Sequence, residues 1–148
     1  MFRTPYLILL LHAAATLALA GIIWFVQIVH YPLFPRLQPG AFPSFHAESL
    51  RRTSWLVVPL FATETVTAIL LLWRRPSGLP LSLAVAGLSL VLVNWISTLF
   101  LQMPRHRALS KGFNHYVYRE LVATNWIRTF TSTARCAVVL WMISMSVN

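Results

Sequence analysis

Glu64 and Arg135 are ionisable side chains on separate membrane-length apolar stretches, and such groups in hydrocarbon are candidates for a functional site by default. Other polar residues are arranged around them. Asn94, Thr98 and Gln102 recur every four residues, and Asn125, Arg128, Thr131 or Ser132, and Arg135 recur at three and four, so each set forms one helical face. Thr53, Val57, Leu60, Glu64 and Thr67 make a third stripe, and Gln27 and His30 stand near the end of the first apolar run. A carboxylate, two guanidiniums, amides and an imidazole are the parts of a site that holds an anion and moves a proton. Polar side chains also serve as packing glue between membrane helices, worth under about 1 kcal/mol each on average. That role accounts for Glu64, Asn94 and Thr98 without a ligand. It does not account for Arg128 and Arg135 sharing one intramembrane carboxylate, because arginine does not neutralise itself by deprotonation.

Glu64 lies about nine residues past Trp55, Asn94 about nine before Met103, and Arg135 about nine past Trp126, which at ~1.5 Å per residue is one depth, roughly 13 Å below the interface. The sequence therefore predicts a polar pocket open to the cytoplasmic interface and lined by Gln27, Glu64, Asn94, Thr98, Gln102, Asn125 and Arg135. Packed Leu, Val and Ala close it below, in a half whose polar groups are His12 and a few hydroxyls.

His30, His46, His106 and His115 all project from the connections at this end, so His30, His46 and His106 can be written as metal ligands. No HxxxH or HxxE spacing supports them, and no metal or other cofactor is favoured. Haem between two deep histidines is disfavoured too, since His12 has no opposing histidine on another span. Cys136 is the one cysteine, which excludes an intramolecular disulfide and a cysteine-based metal cluster.

The elements that must carry these residues follow from composition. The chain has 148 residues, of which 57% are hydrophobic and 10% charged, too few polar side chains to coat a soluble globule. A helix needs roughly 20 apolar residues to cross the hydrocarbon. The windows about Tyr6–Val29, Trp55–Trp73, Leu79–Met103 and Trp126–Val147 meet this length, predicting an all-α, four-transmembrane-helix bundle as a single domain over residues 1–148. The start resembles a secretory signal, with a basic residue, an apolar run and Ala-Leu-Ala before Gly21. The run continues through Ile22–Val29, beyond the usual signal core, and reads as an uncleaved first span.

Arg36, Arg51, Arg52, Arg105, Arg107, Lys111 and Arg119 fall in the first and third connections, whereas Arg3, Arg74 and Arg75 flank the opposite ends. By the positive-inside rule those connections are cytoplasmic and both termini face outward, as in a bacterial inner membrane. The formal net charge of +9 is then topogenic, set against anionic lipid headgroups rather than nucleic acid.

Pro76 and Gly78 make the second connection a tight turn. Pro32, Pro35, Pro39 and Pro43 interrupt the first before a short helical segment about Ala41–Arg52, with Phe42 and Phe45 as headgroup-level anchors. Phe113, Tyr116 and Tyr118 among basic residues predict an amphipathic interfacial segment in the third. Trp55, Trp73 and Trp126 sit at span ends as an aromatic belt, while Trp24, Trp95 and Trp141 lie deeper, where they pack or line a pocket.

Three short elements carry a family resemblance: QIVHYPLF at Gln27–Phe34, QMPRHRAL at Gln102–Leu109 and NWIRTFTSTAR at Asn125–Arg135. They resemble small uncharacterised four-helix bacterial membrane proteins and, more loosely, the domain-of-unknown-function family that includes the fungal anthrone oxygenases. This chain differs in having His106 where that family often has Asn, and His30-Tyr31-Pro32 in place of a plain His-Pro pair. The resemblance implies a four-helix fold and an oxygenase needing no metal or organic cofactor, acting on a lipophilic aromatic or quinol-like substrate. In that reading His30 or His106 is the base, Arg128 holds the anion and Glu64 orients Arg135. The alternative is a non-catalytic lipid-, quinone- or pigment-binding protein, or an accessory subunit of a membrane complex. Transport by so short a chain would require a homo-oligomer.

Overall fold

The computed structural model describes residues 4–147, so Arg3 and Asn148 lie outside the described residues. The described chain is all-α, without strands. The long helices α1 (Thr4–Phe25), α2 (Phe42–Trp73), α3 (Leu81–Ser97) and α5 (His115–Val147) pack side by side, and a short α4 (Met103–Leu109) extends the line of α3. Three segments, Thr4–Arg36, Phe42–Trp73 and Leu81–Leu109, are long and apolar enough to cross a membrane. The expected fourth span is not among them. Its helix, α5, is 33 residues long but is diluted by Asn125, Arg128, Thr129, Ser132, Thr133 and Arg135.

Several expectations about the connections are corrected. The segment about Ala41–Arg52 is not separate from the second span: α2 starts at Phe42 and runs unbroken to Trp73. Pro43 falls in the first turn, where no intrahelical N–H is required. Phe42 is not a headgroup anchor either. It is fully buried with Tyr31, Phe34, Leu109 and Leu121, and this apolar cluster plugs the basic end of the bundle. In the third connection the short α4 ends at Leu109 and α5 begins at His115, with the Asn114 side chain accepting from the Val117 amide.

Two irregular turns shape this end. Residues Val26–His30 and Thr98–Gln102 are wound as π-helix, and a proline follows each, Pro32 and Pro104. Proline cannot donate to the carbonyl four residues back and its ring crowds that carbonyl, so a locally wider turn lets the helix continue past it. Beyond His30 the chain tightens into a 3-10 turn, Tyr31–Arg36, around Pro32 and Pro35. The two wide turns rotate His30, Tyr31, Gln102 and His106 relative to the helices that precede them.

At the opposite end Ile8, Leu9, Ala13, Leu71, Leu79, Ala84, Val139 and Met142 form the apolar core. The turn between α2 and α3 depends on Gly78, at φ +92°, where an added Cβ would stand 2.8 Å from the Met145 carbonyl oxygen. Gly78→Ala is therefore expected to destabilise the bundle by about 1–3 kcal/mol. Gly40→Ala, where nothing lies within 4 Å and φ is ordinary, should leave the melting temperature near that of the wild type. Equal melting temperatures for Gly78→Ala and the wild type would show that the turn tolerates a side chain.

Candidate functional site

The polar residues separate into two layers. In the inner layer Arg135 of α5 pairs with Glu64 of α2, both essentially inaccessible. Thr16 of α1 donates to Glu64 Oε1 at 2.7 Å, so three helices meet at this carboxylate. Asn94 of α3 donates from Nδ2 to Ser132 Oγ at 3.0 Å, tying the fourth long helix to α5. One turn along, Thr67 Oγ1 gives its proton to the Thr63 carbonyl at 2.7 Å and lies 3.0 Å from His12 Nδ1. With its proton on a carbonyl, the hydroxyl accepts from a His12 that carries its proton on Nδ1. Glu64 Oε2 and Asn94 Oδ1 have no partner among the described residues.

The outer layer surrounds a cavity of about 480 Å³ between α2 and the far ends of α1, α3 and α5. Its wall is mainly apolar, with Ile22, Val26, Val57, Val58 and Phe61 prominent, where the sequence predicts a polar pocket. His30, Thr98, Gln102, His106, Asn125 and Arg128 line it. Gln27, Glu64, Asn94 and Arg135 do not line it. Gln27 stands behind the wall, accepting from Asn125 Nδ2 at 2.7 Å, and the other three belong to the inner layer.

Arg128 is held by its own helix, donating to Asn125 Oδ1 at 3.3 Å, and it has no carboxylate partner among the described residues. Its Nε is buried without a hydrogen-bond partner there. A permanent cation thus stands on a mainly apolar wall with its charge uncompensated by protein, an arrangement costly unless a ligand or water meets it.

Two of the histidines meet. His46 Nε2 is 3.0 Å from His106 Nδ1, and Tyr31 Oη is 3.2 Å from His106 Nε2. His30 turns away to Ser49 Oγ at 3.0 Å. Among the described residues no three His, Cys, Asp or Glu side chains are placed to hold a metal ion. With Tyr31 on one nitrogen and His46 on the other, neither nitrogen of His106 is free to meet a ligand directly.

Sequence reasoning missed Tyr31, Ser49 and Ser110 on this wall, and treated His46 only as a metal ligand. The available signal was the placement of Tyr31 between His30 and Pro32. Among the tryptophans, Trp95 reaches the cavity and donates to Thr65 Oγ1 at 2.9 Å, whereas Trp24 bonds Thr133 and Trp141 points outward.

The mouth of the cavity lies on the flank of the bundle. Leu50, Ser54 and Val58 of α2 face Leu99, Met103 and Arg107 across it, and all six are exposed. Below the mouth, Phe61 and Trp95 close the gap edge to face, with ring centroids 5.2 Å apart. A second hollow of about 380 Å³ lies between α1 and α2 and shares Ile22, Val26, His30 and Thr53 with the first. No family model, curated protein or solved structure matches the chain.

The inner layer makes its own prediction. Removing one partner of a buried pair leaves the other charge uncompensated, so Glu64→Gln or Arg135→Met alone should cost roughly 3–5 kcal/mol. The double variant should cost less than the sum, because neither charge is then stranded. Additive losses in denaturation of the purified bundle would mean that the two side chains do not interact.

Proposed function

We propose that this chain is a four-span integral protein, with α5 as the fourth span, that binds a lipophilic, weakly acidic aromatic molecule of phenol or quinol type in the outer cavity. The observation that carries this reading is Arg128: an unpaired guanidinium on an apolar wall selects a ligand that is greasy in body and anionic at one point. The flank mouth supports it, since Leu50, Val58, Leu99 and Met103 offer an apolar approach from the bilayer. A span as polar as α5 suits the same picture, because its Asn125, Arg128, Ser132 and Arg135 turn toward the cavity or the inner layer rather than toward lipid.

The chemistry such a wall favours is deprotonation of an activated phenol or carbon acid, with Arg128 stabilising the anion as it forms. An electron-rich carbanion of this kind can reduce dioxygen dissolved in the cavity. One electron passes to dioxygen, the radical pair combines to a peroxide, and loss of water leaves a carbonyl; a CH2 group and dioxygen become C=O and water. This is the oxygenase reading, in line with the resemblance to the anthrone oxygenase family. His106, engaged at both nitrogens, is not the group that touches the substrate in it; Tyr31 or His30 is. The same grip without turnover would serve a quinone- or pigment-holding subunit. Turnover of an anthrone under dioxygen, with one carbonyl product formed per dioxygen consumed, separates the two.

The binding reading is tested with protein in lipid nanodiscs and an alkylated para-nitrophenol as probe. Arg128→Gln should weaken binding of the phenol roughly 10-fold to 100-fold, the range for losing a hydrogen bond to a charged group. The methyl ether of the same probe, which cannot ionise, should bind both proteins equally. Unchanged affinity for the phenol would remove Arg128 from the site.

Orientation completes the proposal: the basic connections face the cytoplasm of a bacterium, and both termini lie outside. A reporter fused after Asn148 should be active outside and one inserted between Leu109 and His115 inside. The opposite labelling would place the cavity in the other leaflet.

A further inference from the structure

One line of hydrogen bonds runs along the cavity wall from a buried group to an exposed one. Tyr31 Oη lies 3.2 Å from His106 Nε2, His106 Nδ1 lies 3.0 Å from His46 Nε2, and His46 Nδ1 lies 3.3 Å from Ser110 Oγ. Tyr31 and His46 are buried, and Ser110 is exposed at the rim. All four side chains border the cavity.

The direction of every bond can be counted from the exposed end. Ser110 Oγ is placed to donate to the His106 carbonyl at 2.9 Å, and with its single proton there it accepts from His46. His46 therefore carries its proton on Nδ1 and presents a bare Nε2. That nitrogen must receive a proton from His106, which places the His106 proton on Nδ1 and leaves its Nε2 bare. Tyr31 is then the donor to Nε2. All the bonds point one way, from Tyr31 to Ser110, as a chain must if a proton is to be passed along it by successive short transfers.

We propose that Tyr31, His106, His46 and Ser110 form a proton relay that drains the cavity to the membrane surface. A proton taken up on Tyr31 Oη displaces the phenolic proton to His106 Nε2. The Nδ1 proton of His106 moves to His46 Nε2, the Nδ1 proton of His46 moves to Ser110 Oγ, and one proton leaves Ser110 to water at the rim. One proton enters, one leaves, and no group gains net charge. Each imidazole is left as its other tautomer, so the chain must reset before it carries a second proton. The charged and titratable groups that share this wall are His30, Arg107 and Arg128, and none of them is hydrogen-bonded into the line. His46 and Ser110 act through their neighbours and reach the ligand only by way of Tyr31, so they are positioning and relay residues.

The relay deepens the proposed function by giving the proton lost from a bound phenol a route out, and it is tested in two arms that fail separately. In the first, isotope-labelled histidine in nanodiscs gives the tautomers by nitrogen–proton NMR, with His46→Gln and His106→Gln supplying the assignments. Both rings should carry the proton on Nδ1, and Ser110→Ala should abolish that preference in His46. Either ring protonated on Nε2 in the wild type would overturn the relay, whatever the cavity binds. In the second arm the alkylated para-nitrophenol is bound and its ionisation is followed after a rapid pH jump. Tyr31→Phe and His46→Gln should slow ionisation by roughly 100-fold or more, a typical weight for a positioned proton-transfer group. The methyl ether should still bind His46→Gln normally, since His46 reaches the ligand only by way of Tyr31. Wild-type ionisation rates in both variants, with binding intact, would sink the relay and leave the binding proposal standing; loss of phenol binding in the wild type would sink the binding proposal and leave the tautomers to decide the relay.

Discussion

Neither Glu64 nor Arg135 can be hydrated where it lies, and the register of the bundle follows from their need for each other. The pair ties α2 to α5, Thr16 draws α1 to the same carboxylate, and the Asn94–Ser132 bond fixes α3 against α5 at that depth. A buried ion pair contributes little net stability compared with well-packed apolar residues, because desolvation offsets much of its attraction. What it does supply is a penalty for misalignment. Sliding α2 by one turn past α5 would separate two charges in hydrocarbon and strand both, so the correct register is separated from its neighbours by several kcal/mol. The helices are pinned at mid-depth, and they need not pack tightly above it.

That freedom is where the cavity lies. Between the Thr16–Glu64 tie and the His30–Ser49 tie, α1 and α2 are held at two levels and leave space between them, while Phe61 and Trp95 close α2 against α3 just below the mouth. The apolar cluster of Tyr31, Phe34, Phe42, Leu109 and Leu121 plugs the basic end. The enclosure opens on its flank between Leu50, Val58, Leu99 and Met103, and Arg128 stands unpaired on its mainly apolar wall.

The parts of this arrangement that were legible in the sequence are those set by periodicity and depth. Counting 1.5 Å per residue brings Glu64, Asn94 and Arg135 to one level, and the three-and-four spacing puts Asn125 and Arg128 on one face of α5. The split into two layers was not legible, because spacing fixes a side chain's height and face but not how far a helix is rotated after an irregular turn. Pro32 announced a break, yet the π turns ahead of it and of Pro104 continue the helices and carry His30, Tyr31, Gln102 and His106 to the cavity wall. The meeting of His46 with His106, sixty positions apart, depends on those rotations and on Phe42 being buried rather than anchored at the headgroups. The polarity of α5, which reads as a weak span, is the same fact as its role: its polar groups face the interior.

The placement of the π turns follows from the solvent. In hydrocarbon a backbone group without a partner costs several kcal/mol, so irregular helix is tolerated only where protein or a water-accessible cavity can meet the displaced carbonyls. Both π turns border the cavity, and the inner apolar core of Ile8, Leu71, Val139 and Met142 contains none. The hydrogen-bond line from Tyr31 to Ser110 begins directly after the first π turn and reaches His106 just after the second. Regular helices would keep Tyr31 and His106 on the rotations set by α1 and α3. The wide turns are therefore the local backbone feature that allows a tyrosine from one span and a histidine from another to share a proton within a bundle otherwise locked by its ion pair.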